Sequence, residues 1–256
     1  MHALRKIAKR LVPARARLAL KRAGRRLVSG LYAGETYRCP CCGGGFRKLL
    51  PHGALRVREN AVCPACGSME RHRLVWMYLQ EKTDFFAAKH RVLHFAPEEI
   101  FQTRFSRLPN LDYRSADLDS PLATDCVDIT AMAYEDAAFD VILCSHVLEH
   151  VRDDRKAMRE LYRVLRPGGW AILQVPLDSK REHTYEDPTL TDPAEWRRAF
   201  GQEDHLRVYG QDYPDRLVEA GFRVTRDGWV RQLPRDLVET HRLKVEDIFF
   251  CEKPAR

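Results

Sequence analysis

Two short cysteine motifs restrict this chain more than any other feature. "CPCCG" at 39–43 and "CPACG" at 63–67 both read C-P-x-C-G. They supply two C-x-x-C pairs, Cys39/Cys42 and Cys63/Cys66, at a separation that reads as a zinc site. Two intervening residues let one tight turn aim both thiolates at one metal. Proline presets that turn, and the glycine after the second cysteine permits the positive φ that closes it. Four thiolates complete a closed tetrahedral Zn2+ site with no position open to water, so its expected role is structural. Cys41 could replace a neighbour, but the repetition of the knuckle favours Cys39 and Cys42. A redox role is disfavoured because neither pair opens a thioredoxin-like βαβ pattern.

The chain has 256 residues, room for one α/β domain and a small appended module. Its net charge of +7 is unevenly placed, because the first thirty residues hold ten Lys or Arg and no acid. In that arm apolar residues interleave with basic ones instead of forming a continuous core, which excludes a secretory signal. Leu4, Ile7 and Leu11 have helical spacing, as do Leu18, Arg22 and Arg25 on a more basic face, and Pro13 would break or restart a helix. Three readings fit the arm: an amphipathic segment on an anionic membrane surface, a nucleic-acid contact, or a solvated, partly helical extension. No stretch approaches the roughly 18–20 apolar residues of a membrane span. With eight cysteines and no secretory signal, a disulfide framework is not expected and the expected location is cytoplasmic.

After the second knuckle, "SMERHRLVWMYLQEK" reads as a helix with Leu74, Met77 and Tyr78 on one face. Arg71, His72 and Arg73 at its start either contact an anion or cap and solvate the helix. From residue 91 short apolar strands alternate with helical patterns, the signature of a parallel sheet covered on both faces. "RVLHFA" and "LDYRSADLDS" are the first two strands, "DAAFDVILCSHVLEHV" carries a fully apolar strand from Val141 to Leu143, and "WAILQVPL" is the next buried strand. "DDRKAMRELYRVLRPGG" is a helix whose stripe is Met158, Leu161, Tyr162 and Leu165, with Asp153 or Asp154 at its start and Pro167-Gly168-Gly169 at its end. "DRLVEAGF" is a further helix, and "FRVTRDG" and "EDIFFCEK" are final strands.

The stretch "FDVILCSHVLEHVRDDRKAMRELYRVLRPGGWAILQVP" resembles the class I S-adenosylmethionine-dependent methyltransferases of the small-molecule and lipid type (methyltransferase type 11-like). The resemblance covers about residues 88–252. It implies a Rossmann-like, mostly parallel, seven-stranded α/β sheet; the cysteine knuckles fall outside it and add a small N-terminal zinc-binding module. The organisation expected is a basic arm at 1–34, a zinc-ribbon-like module with its connecting helix at 35–87, and a methyltransferase domain at 88–256. The knuckles themselves resemble zinc ribbons attached to various methyltransferases, including some that act on ribosomal RNA.

In an open α/β sheet, ligands bind beyond the carboxyl ends of the strands at the switch point. An acid after the second strand can accept both ribose hydroxyls; Asp117 holds that position, with Asp119 as its neighbour. "DIT" at 128–130 resembles the family's adenine contact, Asp128 accepting from the exocyclic amine and Ile129 packing on the ring. Taken singly, each aspartate is equally a cap or turn residue. By resemblance, the backbone near Ser145 and His146 flanks the methionine portion of S-adenosylmethionine. His146 or His150 would orient or deprotonate an acceptor; the plain alternative is that Glu149 and His150 pack and cap their turn.

The first strand departs from the family. Where an acid and a G-x-G-x-G turn are usual, this chain has His94, Phe95, Ala96, Pro97 and Glu98. The cofactor has no phosphate, so the turn need not be an anion cradle. Ala96 allows close approach, Pro97 fixes a turn without positive φ, and Glu98 either answers the cofactor's ammonium group or serves the next helix dipole. Phe95 to Glu98 therefore join the expected cofactor contacts. An insertion at 178–212 would cover the acceptor, with His183, Tyr185, Glu186, His205, Arg207 and Tyr209 as its candidate contacts; it reads equally as a solvated loop with a short helix at Trp196 to Phe200.

The expected activity is methyl transfer to an O or N atom of a small-molecule, sugar or glycan-precursor acceptor. Two alternatives stand beside it: an RNA methyltransferase using the arm and zinc module, and a binding protein that kept the fold without catalysis.

Overall fold

The computed structural model describes residues 14–53, 57–120 and 123–255. Leu4, Ile7, Leu11 and Pro13 lie outside the described residues. The chain forms two compact units, one of residues 1–88 with 228–246, the other of residues 89–227 with 247–256. The sequence alone assigns 88–256 to a single stretch; residues 228–246 instead cluster with the N-terminal unit. No helix among the described residues is long and apolar enough to cross a membrane.

The first unit begins with helix α1, Ala14–Leu31. Two antiparallel hairpins follow. Strands β1, Ala33–Arg38, and β2, Gly45–Phe46, flank the first knuckle, and β3, Leu50–His52, pairs with β4, Arg58–Val62, just before the second. The knuckles are conformational twins. Gly43 and Gly67 both have φ of 75°, and each donates its amide to the first cysteine's carbonyl, at 2.8 Å to Cys39 and 2.9 Å to Cys63. Helix α2, Glu70–Lys82, buries Leu74, Val75, Tyr78 and Leu79, and Tyr78 meets Trp229 edge-on at 5.7 Å.

Arg73 is neither an anion contact nor a solvated helix start. Its side chain is fully buried and donates to four backbone carbonyls: Ser68 at 2.8 Å, Ala61 at 3.1 Å, His241 at 2.7 Å and Arg242 at 2.9 Å. The planar guanidinium can reach four acceptors at once, which a lysine cannot. Burial lowers its pKa, opposed by the nearby Cys39 and Cys41 sulfurs. The carbonyls of His241 and Arg242 belong to the 228–246 segment, so this one side chain ties that segment into its unit.

The second unit is an α/β sheet. In chain order it contains β5 His90–Phe95, α3 Glu99–Phe105, β6 Leu111–Asp117, β7 Asp125–Cys126, β8 Phe139–Ser145, α4 Asp154–Val164 and β9 Leu165–Gln174. Next come β10 Tyr185–Glu186, α5 Pro193–Phe200, β11 Arg207–Val208, α6 Tyr213–Glu219, β12 Arg223–Asp227 and β13 Ile248–Glu252. Seven strands pair in the order β12-β13-β9-β8-β5-β6-β7. The five from β9 to β7 are parallel, and β13 runs antiparallel to both β9 and β12. Leu93, Ile142, Leu161, Leu173, Tyr213 and Phe249 are among the residues packed on its faces. The sequence expectation of a mostly parallel, seven-stranded sheet is met.

Asp153 caps α4 by accepting from the Lys156 amide at 2.8 Å, while Asp154 is buried. The helix ends at Val164, before Pro167-Gly168-Gly169, and those residues form a bulge opening β9. A Cβ on Gly169 would lie 2.7 Å from the Asp140 carbonyl oxygen, so the close approach of two strands requires glycine there.

Arg73→Met keeps an apolar stem but leaves four carbonyls, two of them buried and two partly buried, without their donor. At about 1–3 kcal/mol for each unsatisfied group, the first unit should lose at least ~3 kcal/mol, read as a lower urea midpoint by tryptophan fluorescence. An unchanged midpoint would show that other donors satisfy those carbonyls.

Candidate functional site

Strands β5 and β8 are neighbours, and the chain leaves them in opposite directions. Each runs into a non-glycine residue at positive φ, Ala96 at 44° and His146 at 57°. The Ala96 amide donates to Ala116 of β6 at 2.8 Å, and the His146 amide donates to Gln174 of β9 at 2.8 Å. One exit is therefore drawn toward β6 and the other toward β9, which marks the switch point of strand order, the place where open α/β sheets bind ligands. The sequence reading of a first turn without positive φ is corrected: Ala96 adopts the left-handed conformation that glycine usually supplies.

His94, buried in β5, joins Glu98 through Nε2 at 2.9 Å and the Tyr113 hydroxyl through Nδ1 at 2.9 Å. The carboxylate accepts from Nε2, while Nδ1 and the phenol share the second bond. Burial, reinforced by the Glu98 charge, pushes the Tyr113 phenol up, so it stays a donor. Glu98 precedes α3 without capping it, and Oε2 turns back onto the strand. The i,i+4 spacing of His94 and Glu98 was the sequence signal for this pair.

Asp117 ends β6, and its Oδ1 accepts from the amides of Asp119 at 2.8 Å and Ser120 at 2.7 Å. Those bonds fix the carboxylate at the end of β6, while Asp119 is exposed. Asp128 likewise closes its own turn, accepting from the Thr130 amide and hydroxyl, both at 2.8 Å. The Thr130 backbone hydrogen bond holds its carboxyl below the usual range. Ile129 and Phe95 are buried in the sheet's main core, and Ser145 is half-buried at the end of β8.

Beyond His146 the chain makes a 3-10 turn, Leu148–His150. Glu149 is buried within it, Oε1 lying 3.3 Å from His146 Nδ1. His150 Nδ1 meets the Asp204 carbonyl at 2.9 Å, and its ring packs edge-on against His205 with centroids 4.8 Å apart. Burial holds His205 below the ordinary imidazole range, against the pull of Glu149.

The insertion is organised by charge. Arg207 is buried and donates to the carbonyls of Leu148 at 2.8 Å, Val151 at 2.5 Å and Arg152 at 2.8 Å, and to Glu186 at 3.0 Å. Glu186 also accepts from Arg216 at 3.0 Å. Asp154 accepts from Arg216 at 3.0 Å and from the Tyr209 hydroxyl at 2.8 Å. Glu186, Arg207 and Tyr209 thus belong to one internal network. His183 and Tyr185 are exposed, and His205 is drawn down onto Glu149 and His150. Nothing in the sequence distinguished buried Asp154 from its capping neighbour.

In the first unit, Cys39, Cys42, Cys63 and Cys66 place their sulfurs within 4.8 Å of one another. The Cys39–Cys66 and Cys42–Cys63 separations are 3.6 and 3.8 Å. A tetrahedron with Zn–S bonds of about 2.3 Å has edges of about 3.8 Å, so the four fit one ion. The Ser68 hydroxyl lies 3.1 Å from Cys39 Sγ and 3.3 Å from Cys66 Sγ. Cys41 turns instead to the His72 carbonyl at 3.8 Å, and burial pushes its thiol up.

Arg207→Met should release the insertion and speed tryptic cleavage between Lys180 and Arg198 by tenfold or more; an unaltered rate would show that the network is dispensable. Burial alone would raise Glu186, but hydrogen bonds from Arg207 and Arg216 outweigh it and hold its carboxyl below the ordinary range. Its contribution is therefore present above the unfolded carboxylate pKa of about 4.3 and fades as pH falls through the lower folded value. Exchange of the Leu206 amide, which donates to Glu149, should quicken in that acid range in wild type, and Glu186→Gln should abolish the step.

Residues 100–173 match a methyltransferase-domain family. Over 56 residues the chain is 39% identical to ajmaline N-methyltransferase of Rauvolfia serpentina, covering 22% of this chain and 19% of that protein. Among solved structures, the cyclase SpnF aligns with a TM-score of 0.48 at 14% identity, over 72% of this chain and 82% of its own. Phosphoethanolamine N-methyltransferase 2 of Haemonchus contortus, in complex with phosphomonomethylethanolamine and S-adenosylhomocysteine, aligns with a TM-score of 0.45 at 14% identity, over 71% and 52%. Residues 100–173, the stretch that matches the methyltransferase-domain family, run from α3 through β9 of the parallel sheet described above.

Proposed function

We propose that the chain is an S-adenosylmethionine-dependent methyltransferase acting on an O or N atom of a small-molecule, sugar or glycan-precursor acceptor. The observation that carries this reading is the switch point of strand order between β5 and β8, with the turn-held Asp117 carboxylate at the end of the adjoining strand β6. When bound there, the cofactor supplies an electrophilic methyl group on a sulfonium. Asp117, already oriented by its own turn, would accept the ribose hydroxyls. Asp128 would take the exocyclic amine of adenine beside Ile129, and Glu98, aligned by His94, would answer the ammonium group. Phe95, Ala96 and Pro97 would line the near wall, and the backbone at Ser145 and His146 the far one. His146 or His150 would orient the acceptor or take its proton, since imidazole titrates near neutrality. The four cysteines would hold a structural Zn2+.

Isothermal calorimetry with S-adenosylhomocysteine tests the reading. Wild type should bind, Asp117→Ala should weaken binding at least tenfold, and Asp128→Ala should weaken it less. An absence of binding by folded, zinc-loaded wild type would remove the proposal, whereas wild-type affinity in both variants would remove the site assignment.

Helix α1 supports a second reading, contact with an anionic membrane surface. Leu20, Leu27 and Leu31 fall on one stripe and are 68, 79 and 71% exposed, on a helix rich in Lys and Arg with no acid. Full-length protein should sediment with phosphatidylserine vesicles and not with phosphatidylcholine vesicles, and Leu27→Glu should reduce sedimentation severalfold. Retention of Leu27→Glu on the anionic vesicles would defeat this reading, as would binding to RNA without binding to vesicles.

A further inference from the structure

Binding of a sulfonium cofactor leaves one group unexplained. Glu149 is 1% exposed, and its Oε2 is buried with no hydrogen-bond partner among the described residues. Its one ion-pair partner among them is His146, through Oε1. A desolvated carboxylate oxygen left unpaired is costly, and folded proteins retain one where a proton or cation meets it.

Two imidazoles converge on the same place. Glu149, His150 and His205 each offer a ligand atom, and the three atoms lie within 4.8 Å of one another. The hydrogen bond from His150 Nδ1 to the Asp204 carbonyl fixes the proton on Nδ1 and leaves the Nε2 lone pair available. Metal-ligating histidines are ordinarily held in this way by a partner on the other nitrogen. The frame is also braced. The Leu206 amide donates to the Glu149 carbonyl at 2.8 Å, which seats His205 beside the 3-10 turn, and Arg207 fastens the next residue to Leu148 and Val151. Ligands from two distant segments are thereby brought together before any ion arrives.

We propose that Glu149, His150 and His205 bind a divalent transition-metal ion, separate from the four-cysteine site. Two imidazole nitrogens with one carboxylate oxygen form the donor set of three-ligand centres that keep a position open, and this set suits zinc, manganese or iron. An ion here neutralises Glu149 and completes the valence of its orphaned oxygen. In an enzyme of the proposed kind it would hold an acceptor oxygen and ease loss of that oxygen's proton. That use rests on the methyltransferase reading; the binding of the ion does not.

The test is metal analysis of the full-length protein after loading with Zn2+ and dialysis. Wild type should carry two equivalents. Cys63→Ser should carry one, and Glu149→Gln with His205→Ala should also carry one. After cobalt substitution, the intense thiolate charge-transfer bands should persist in the Glu149→Gln, His205→Ala protein while the weaker bands of the nitrogen-oxygen centre vanish. His150→Gln gives the same reading should the double variant not fold. One equivalent in wild type, or two equivalents retained in both the double variant and His150→Gln, overturns the site. Calorimetry with S-adenosylhomocysteine separates the two proposals: two metal equivalents without nucleoside binding leave the metal site and remove the methyltransferase reading, and the reverse result does the opposite.

Discussion

The guanidinium of Arg207 fixes the part of the molecule on which the site's chemistry depends. It is buried, paired with Glu186, and spends its remaining donors on backbone carbonyls around the 3-10 turn that follows β8. Such burial of charge seldom adds net stability, because desolvation offsets the Coulombic gain. Its use here is positional. A long connection with little apolar surface of its own is held against the turn bearing Glu149 and His150, and His205 is carried into place beside them. Asp154, Arg216 and Tyr209 extend the same network beneath, so that the arrangement is determined from several directions at once.

The sheet was legible because its strands are short apolar runs separated by amphipathic helices, a pattern with few alternative packings. The cysteine cluster was legible for a different reason: two C-P-x-C-G knuckles supply four thiols that the fold brings within 4.8 Å of one another. What escaped the sequence was the destination of long polar side chains. Arg73 and Arg207 look like surface charges in a one-dimensional reading, since arginine is rarely buried without a partner. Their partners are carbonyl oxygens, which every residue possesses, so no sequence pattern announces them.

The exit from β5 was half legible. Loss of every glycine from that turn is plain in "HFAPEE", and it first counts against a close approach of the backbone to any ligand. Ala96 nevertheless adopts positive φ, at a steric cost of about 1–2 kcal/mol, held there by its hydrogen bond to Ala116. Local propensity yielded to the ladder on either side. The pairing of His94 with Glu98 gives the same turn a charge that the missing acid would otherwise have carried.

The segment 228–246, placed by its contacts with the N-terminal unit, has a consequence for how the protein is made. During synthesis both cysteine knuckles emerge long before the carbonyls of His241 and Arg242 that complete the coordination of Arg73. Until then the guanidinium has two of its four acceptors. The unit therefore cannot close as its residues leave the ribosome. Its completion depends on a strap that is translated after nearly all of the sheet, a contact of the high sequence separation that makes folding slow.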